Sequence, residues 1–427
     1  MSATAIALVA AFGGLLLFGV PIAFCLGLAA AIGLWVADVP QVVLAQRVIS
    51  GTQIFTLLAI PGFVLTGDLM MRGGLSRRLI RVGQALVGHI TGGLGMVTVV
   101  SATFFAAISG SAPATTAAVG QIMIPEMERH GYGRGFATAL ATASGPIGQM
   151  IPPSIPMVIW GVVSEQSISE LFLAGVVPGL LIAAAFMVAC AVAARRMDVP
   201  RASARATRRE LGAALWDGKW ALAAPVLILG GIYGGVFTPT EAAAVGVFYG
   251  LAVGLLVHRE IGVADLYGIV LGAMRTTAII CLIIATAAAF GWLVASERVP
   301  AALAAAVLSV SDSPVVILLL LNVTLLFIGA IMDNIAAMII LGSVLTGLGA
   351  QLGLDPIHLG AIVVINFAIG MATPPFGYSL FVGSAISGLS IERISLSIWP
   401  LLLVQLAVLI AITFVPALTL ALPSLLR

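Results

Sequence analysis

Two tandem prolines are the residues best placed to do chemistry. Pro152-Pro153 lies in Gly148-Gln149-Met150-Ile151-Pro152-Pro153-Ser154. Pro374-Pro375 lies in Gly370-Met371-Ala372-Thr373-Pro374-Pro375-Phe376-Gly377. Proline has no backbone N–H and clashes with the preceding turn, so each pair breaks a helix and leaves upstream carbonyls without partners. In hydrocarbon such carbonyls are tolerated only beside a cavity or a ligand. Bare carbonyl oxygens suit a hard cation such as Na⁺. The half-helix after each break points its positive end at the same place, where an anion fits. Two other stretches have the small or polar residues of a tight tip. One is Ile108-Ser109-Gly110-Ser111-Ala112-Pro113-Ala114-Thr115-Thr116; the other is Gly329-Ala330-Ile331-Met332-Asp333-Asn334. The hydroxyls of the first either supply oxygen ligands or allow close helix packing. Asp333 is either a buried functional carboxylate or an acid at the membrane surface.

The breaks belong to an internal repeat. When residues 145–181 are moved along by 222 positions onto 367–403, Gly148 meets Gly370, Pro152 and Pro153 meet Pro374 and Pro375, Glu170 meets Glu392, and Pro178 meets Pro400. The tips align at 223, more weakly, through Phe104, Ala107, Ile108 and Ala114 with Phe327, Ala330, Ile331 and Ala337.

The elements that must position these residues are membrane helices. Of 427 residues 61% are apolar and 8% charged, too few charges to cover a water-soluble globule. At roughly 20 apolar residues per span, on the order of ten spans fit. The apolar runs are continuous rather than alternating, which predicts helices, not a β-barrel. A net charge of +2 gives no basic face for nucleic acid, and Cys25, Cys190 and Cys281 are too dispersed for a disulfide framework or a metal cluster. No GxxxxGK[ST] is present, so ATP hydrolysis through a P-loop is excluded, and no catalytic motif marks an enzyme. His89, His130, His258 and His358 read as solvated span ends. Asp68 reads as interfacial, and Thr238-Pro239-Thr240-Glu241 as a capped helix start.

The arginines set the topology. Arg72, Arg77, Arg78 and Arg81 cluster, as do Arg129 and Arg134, and as do Arg195, Arg196, Arg201, Arg205, Arg208, Arg209 and Lys219; positive loops stay cytoplasmic. The first cluster either lies on the inner surface and braces the hairpin or only marks the topology. Alternation then predicts span 4–36 running outward as one retained helix with Pro21 inside, and 51–71 returning. A re-entrant hairpin at about 89–128 opens from the inside. Span 136–164, broken, runs out and 171–194 in. After a basic linker at 195–220, span 221–237 runs out, 239–257 in and 268–294 out. A second hairpin at about 313–349 opens from the outside, span 357–388, broken, comes in, and 396–425 leaves. The N-terminus is then cytoplasmic and the C-terminus periplasmic, with only Arg47, Arg298 and Arg427 outside. Residues 1–194 and 221–427 are thus inverted repeats, a construction frequent in secondary transporters.

At IPGFVLTGDLM (60–70), SGSAPATTAAVGQIMIPEM (109–127), GQMIPPSI (148–155), LFLAGVVPGLL (171–181), TPTEAAAV (238–245) and INFAIGMATPPFG (365–377), the chain resembles the DctM-type large membrane subunit of tripartite ATP-independent periplasmic (TRAP) transporters, nearly end to end. The resemblance implies an all-α, elevator-type ion-transporter fold in the bacterial inner membrane. It implies Na⁺-coupled import of an organic acid, such as a C4-dicarboxylate or sialic acid. The partners implied are a small four-helix membrane subunit and a periplasmic substrate-binding protein. One Na⁺ site maps onto Ser109, Ser111, Gly148, Ile151 and Pro153; the second maps onto Gly329, Gly370, Thr373 and Phe376. The Ala-Pro after Ser111 departs from the pattern and alters the tip. Substrate is expected between the tips, near Ser111, Thr115, Asn334, Pro152 and Pro374. The alternative is a self-sufficient Na⁺/dicarboxylate symporter. A channel or passive scaffold subunit is a third reading, one without Na⁺ coupling.

Overall fold

Capping residues set where many of the helices begin. Thr207 and Thr238 each accept a hydrogen bond from the backbone of a glutamate in the first helical turn, and that glutamate reaches back to the threonine N–H, closing a capping box. Ser167, Ser390, Asp333 and Asp355 cap four more helices with one side-chain oxygen each. The computed structural model describes residues 2–425 except 198, 200–204, 301, 303–304, 306–310 and 312. Arg201 of the basic cluster and Arg427 lie outside the described residues.

The first half runs through α1 (Ala3–Leu17), α2 (Ile22–Val36), α3 (Val42–Thr52), α4 (Ala59–Arg72), α5 (Leu75–Val87), α6 (Gly93–Ser109) and α7 (Ala112–Arg129). It continues through α8 (Arg134–Ser144), α9 (Ile147–Met150), α10 (Ile155–Ser164) and α11 (Ile168–Arg196). The second runs through α12 (Arg208–Tyr233), α13 (Pro239–Leu251), α14 (Val263–Ser296), α15 (Pro314–Ile331) and α16 (Asn334–Gln351), then α17 (Pro356–Gly370), α18 (Tyr378–Ser387), α19 (Ile391–Phe414) and α20 (Ala417–Ser424). Among the described residues eight helices are long and apolar enough to cross a membrane, or nine when the pair Arg134–Met150 and Ile155–Ser164, bent by 43°, counts as one span.

Two packing groups emerge. Helices α1–α4 pack with α12–α14, while α6–α11 pack with α15–α20. Helix α5 touches both groups, lying against α12 and α6. It is fastened by Arg78, which bonds Glu260 at 2.6 Å and the Gly74 carbonyl at 3.0 Å and approaches Asp217 at 3.5 Å; Arg81 bonds Asp217 at 3.0 Å. These ion pairs tie Arg78 and Arg81 to Asp217 of α12 and to Glu260, not to the first hairpin.

Five expectations change. Residues 4–36 are not one helix. The chain reverses at Gly19-Val20-Pro21, α1 and α2 pack side by side, and Leu17 and Phe18 at the turn are 90% and 89% exposed. Pro21 is the last residue before α2 rather than a kink within it, as expected of a residue that cannot sit inside a helix. The expected linker 195–220 is helical from Arg208, because the Thr207 capping box starts α12 there and the span grows out of it. Span 396–425 divides at Val415-Pro416 into α19 and α20. The two hairpins correspond at 222, not 223: α7 occupies Ala112–Arg129 and α16 Asn334–Gln351, the same helix moved by that interval. His358 is not a solvated end; it is buried, with Nδ1 2.7 Å from Thr419 Oγ1.

Candidate functional site

The first hairpin tip and the first break meet through their backbones. Helix α6 ends at Ser109, Gly110 takes the left-handed conformation (φ +61°), and Ser111 is extended before α7. A Cβ on Gly110 would lie 2.5 Å from the Pro153 carbonyl oxygen, a distance no side chain tolerates, and the Ile155 N–H donates to the Gly110 carbonyl at 3.4 Å. Glycine is required there for both its φ and this approach. Gly148 is equally confined: its Cβ position falls 2.3 Å from Thr115 Oγ1 and 2.8 Å from the Ser111 carbonyl. Ser109 Oγ and Thr115 Oγ1 are 2.9 Å apart. Thus Ser109, Ser111, Thr115, Gly148, Pro152 and Pro153 form one neighbourhood. Ile151 joins it by its extended backbone, while its side chain packs on Gly179 of α11.

The second hairpin and the second break repeat the arrangement. A Cβ on Gly370 would lie 2.7 Å from the Gly329 carbonyl carbon, so α15 and α17 touch backbone to backbone. Past Gly370 the chain folds tightly. The Thr373 N–H donates to the Gly370 carbonyl at 2.9 Å, the Thr373 hydroxyl to the Ile369 carbonyl at 2.9 Å, and the Ser379 N–H to the Met371 carbonyl at 2.9 Å. Pro152-Pro153 and Pro374-Pro375 are both joined by cis peptide bonds. The breaks differ in surroundings: Pro152 and Pro153 are buried, whereas Pro374 is half-buried and the Phe376 side chain is exposed. Gly329, Gly370 and Thr373 therefore come together, with Phe376 pointing away.

One residue that the motifs did not single out joins the two halves. Gln149, in the first break, accepts a hydrogen bond through Oε1 from Asn334 Nδ2 at 2.8 Å and directs Nε2 at Met371 Sδ, 3.2 Å away. Asn334 opens α16 at the second tip, and Met371 lies in the second break. The signal was in the repeat: Gln149 and Met371 are the same position in the two copies, 222 residues apart. Ser154, which caps α10, bonds the Gln149 carbonyl at 2.6 Å. The starts of α7, α10 and α16 are therefore gathered around residues 148–149. Helix starts carry partial positive charge, which suits an anion; Ser154 and Asp333 already cap those of α10 and α16, whereas α7 has no side-chain cap, and the carbonyls of the broken segments suit a cation. Asp333, left open by the sequence, caps α16: its Oδ1 accepts from the Ile335 and Ala336 N–H groups at 3.0 and 3.3 Å.

Comparison with known proteins fits this architecture. The family described as "Tripartite ATP-independent periplasmic transporter, DctM component" matches residues 9–418. The isethionate TRAP transporter permease protein DctMQ of Oleidesulfovibrio alaskensis is 42% identical over 407 residues; the match takes in 95% of this chain but only 64% of that protein's length. The C4-dicarboxylate TRAP transporter large permease protein DctM of Pseudomonas aeruginosa is 42% identical over 381 residues, 89% of each chain. In fold, the chain is similar to the crystal structure of the YdaH transporter of Alcanivorax borkumensis. The TM-score is 0.63 at 17% identity, over 87% of this chain and 86% of that one.

Proposed function

The chain belongs to the DctM family, the large permease subunits of TRAP transporters, and on that premise we propose that it imports a small organic acid coupled to Na⁺ by an elevator motion. It is a multi-pass protein of the bacterial cytoplasmic membrane and a transporter subunit, not an enzyme. The observation that carries the proposal is the paired fit of hairpins and breaks. Gly110 against Pro153, and Gly329 against Gly370, bring the backbone of each tip onto the backbone of its break. In this reading α6–α11 and α15–α20 form the moving body, and α1–α4 with α12–α14 the fixed scaffold. Helix α5 carries the chain from one to the other.

Each ion lies where a tip meets a break: the first among Ser109, Ser111, Gly148, Ile151 and Pro153, the second among Gly329, Gly370, Thr373 and Phe376. Backbone carbonyls supply most of the ligands, so the exposed Phe376 side chain is no obstacle. The acid binds between the tips, near Ser111, Thr115, Asn334, Pro152 and Pro374. A small four-helix membrane subunit braces the scaffold, and a periplasmic binding protein delivers the acid.

The α1–α2 reversal bears on topology. Gly27 and Gly33 of α2 lie against Thr286 and Leu293 of α14, so α2 runs in the same direction as α14, outward. Helix α1 then runs inward, and the Ser2 hydroxyl bonds the Glu297 carboxylate just past the outer end of α14. This supports a periplasmic N-terminus, on the same side as the C-terminus, in place of the cytoplasmic one expected for a single first span.

Uptake into liposomes tests the function. The vesicles hold this chain and its small partner. Labelled succinate, sialic acid and isethionate are offered with and without a Na⁺ gradient and a binding protein. Uptake requiring both is the expected result. Uptake with Na⁺ alone makes the chain a self-sufficient symporter, and flux indifferent to Na⁺ overturns the coupling.

A further inference from the structure

We propose that Gln149 contacts the transported acid: its side-chain amide, now turned to a thioether, donates to the substrate carboxylate or sulfonate as the second hairpin tip releases it. The inference rests on the transport reading above and adds to it a residue and an exchange of partners.

Gln149 and Asn334 are almost wholly buried, 4% and 1% exposed, and belong to opposite repeats. A buried amide needs partners for its two donors and its carbonyl. The carbonyl of Gln149 has one, Asn334 Nδ2 at 2.8 Å. Among the described residues its Nε2 has only Met371 Sδ at 3.2 Å, and thioether sulfur is a weak acceptor. An anionic oxygen at the same place accepts a charge-assisted bond roughly twice as strong as a neutral one. Of the three helix starts beside it, α10 and α16 are capped by Ser154 and Asp333, while that of α7 has no side-chain cap and favours the anion. Among the described residues the two breaks and two tips carry no arginine, lysine or histidine. Recognition of the acid there falls to neutral donors.

The geometry also supplies a gate. Asn334 is the first residue of α16, so its bond to Gln149 holds the second tip against the first break. For the acid to enter, that bond must open, and opening frees Asn334 Nδ2 as a second donor beside Gln149 Nε2. Two amide N–H groups then hold one oxyanion. The contacts replaced are one amide–amide bond and one amide–sulfur bond. Because Gln149 and Met371 are repeat equivalents, they meet near the axis relating the two halves, where a single acid is shared by both.

The experiment uses this chain with its small partner and binding protein in liposomes. The probe is whichever of succinate, sialic acid and isethionate the wild type carries. Gln149→Met keeps length and packing against Met371 while removing the amide, and Gln149→Ala provides a second variant. In Gln149→Met, KM for the acid is expected to rise at least about ten-fold, the loss of one hydrogen bond to a charged group, while the Na⁺ needed for half-maximal uptake stays within about two-fold. Gln149→Glu, which sets a carboxylate against the acid, is expected to lose uptake. Unchanged KM in Gln149→Met, or equal shifts in KM and Na⁺ dependence, overturns the assignment and leaves the transport reading standing. If the wild type carries none of the three acids, both the transport reading and the assignment fall.

Discussion

In the proposed second Na⁺ site, Thr373 offers a side-chain oxygen beside the backbone ligands. Its hydroxyl hydrogen is committed to the Ile369 carbonyl at 2.9 Å, which leaves the oxygen lone pairs free toward a cation. Thr373→Val preserves the shape and removes that oxygen. The Na⁺ concentration for half-maximal uptake is expected to rise roughly five-fold, equivalent to about 1 kcal/mol, with KM for the acid little changed. Unaltered Na⁺ dependence in the same assay would remove Thr373 from the second site. The family resemblance pointed to Thr373. It did not point to Gln149, whose partner Asn334 lies 185 residues away. Its significance depends on which tip folds over which break, and a local pattern does not contain that.

At the scale of elements, the tandem prolines do the work that the composition assigns them. Helices α9 and α10 are separated by the break at 151–154, and α17 and α18 by the turn at 371–377. Changing Pro152 and Pro153 together to Ala restores two N–H donors and removes both clashes, so α9 and α10 are expected to run on as one helix. Uptake by that variant is expected to lose its dependence on Na⁺, measured with and without the gradient. Normal Na⁺-driven uptake would refute a functional break. The hairpins were also legible in the sequence, because small residues and glycine mark both tips. The doublet α1–α2 was not. Each of its helices spans about 22 Å, short of the roughly 30 Å of hydrocarbon, but joined end to end they imitate one long span. A hydropathy pattern measures apolar length and is blind to a reversal.

For the whole molecule, the reversal bears on the proposed periplasmic side of the N-terminus. Ser2→Cys, in a background with Cys25, Cys190 and Cys281 replaced, is expected to react with a membrane-impermeant maleimide added outside intact spheroplasts. Reaction only after the membrane is opened would return the N-terminus to the cytoplasm and make α1–α2 a crossing unit. The Ser2–Glu297 bond ties the start of the chain to the end of α14.

By itself the sequence determined a helical membrane protein built twice over, broken at two matching proline pairs, with tips of small residues. These are properties of composition, helix-breaking and internal spacing, and the chain carries them wherever it goes. Tertiary structure alone decided that the first span is a doublet, that His358 is buried against Thr419, and that Gln149 meets both Asn334 and Met371. Those facts depend on which helix faces which across hundreds of residues. That choice follows from backbone approach at single glycines and from the pairing of buried polar groups, neither of which has a periodicity that a sequence displays.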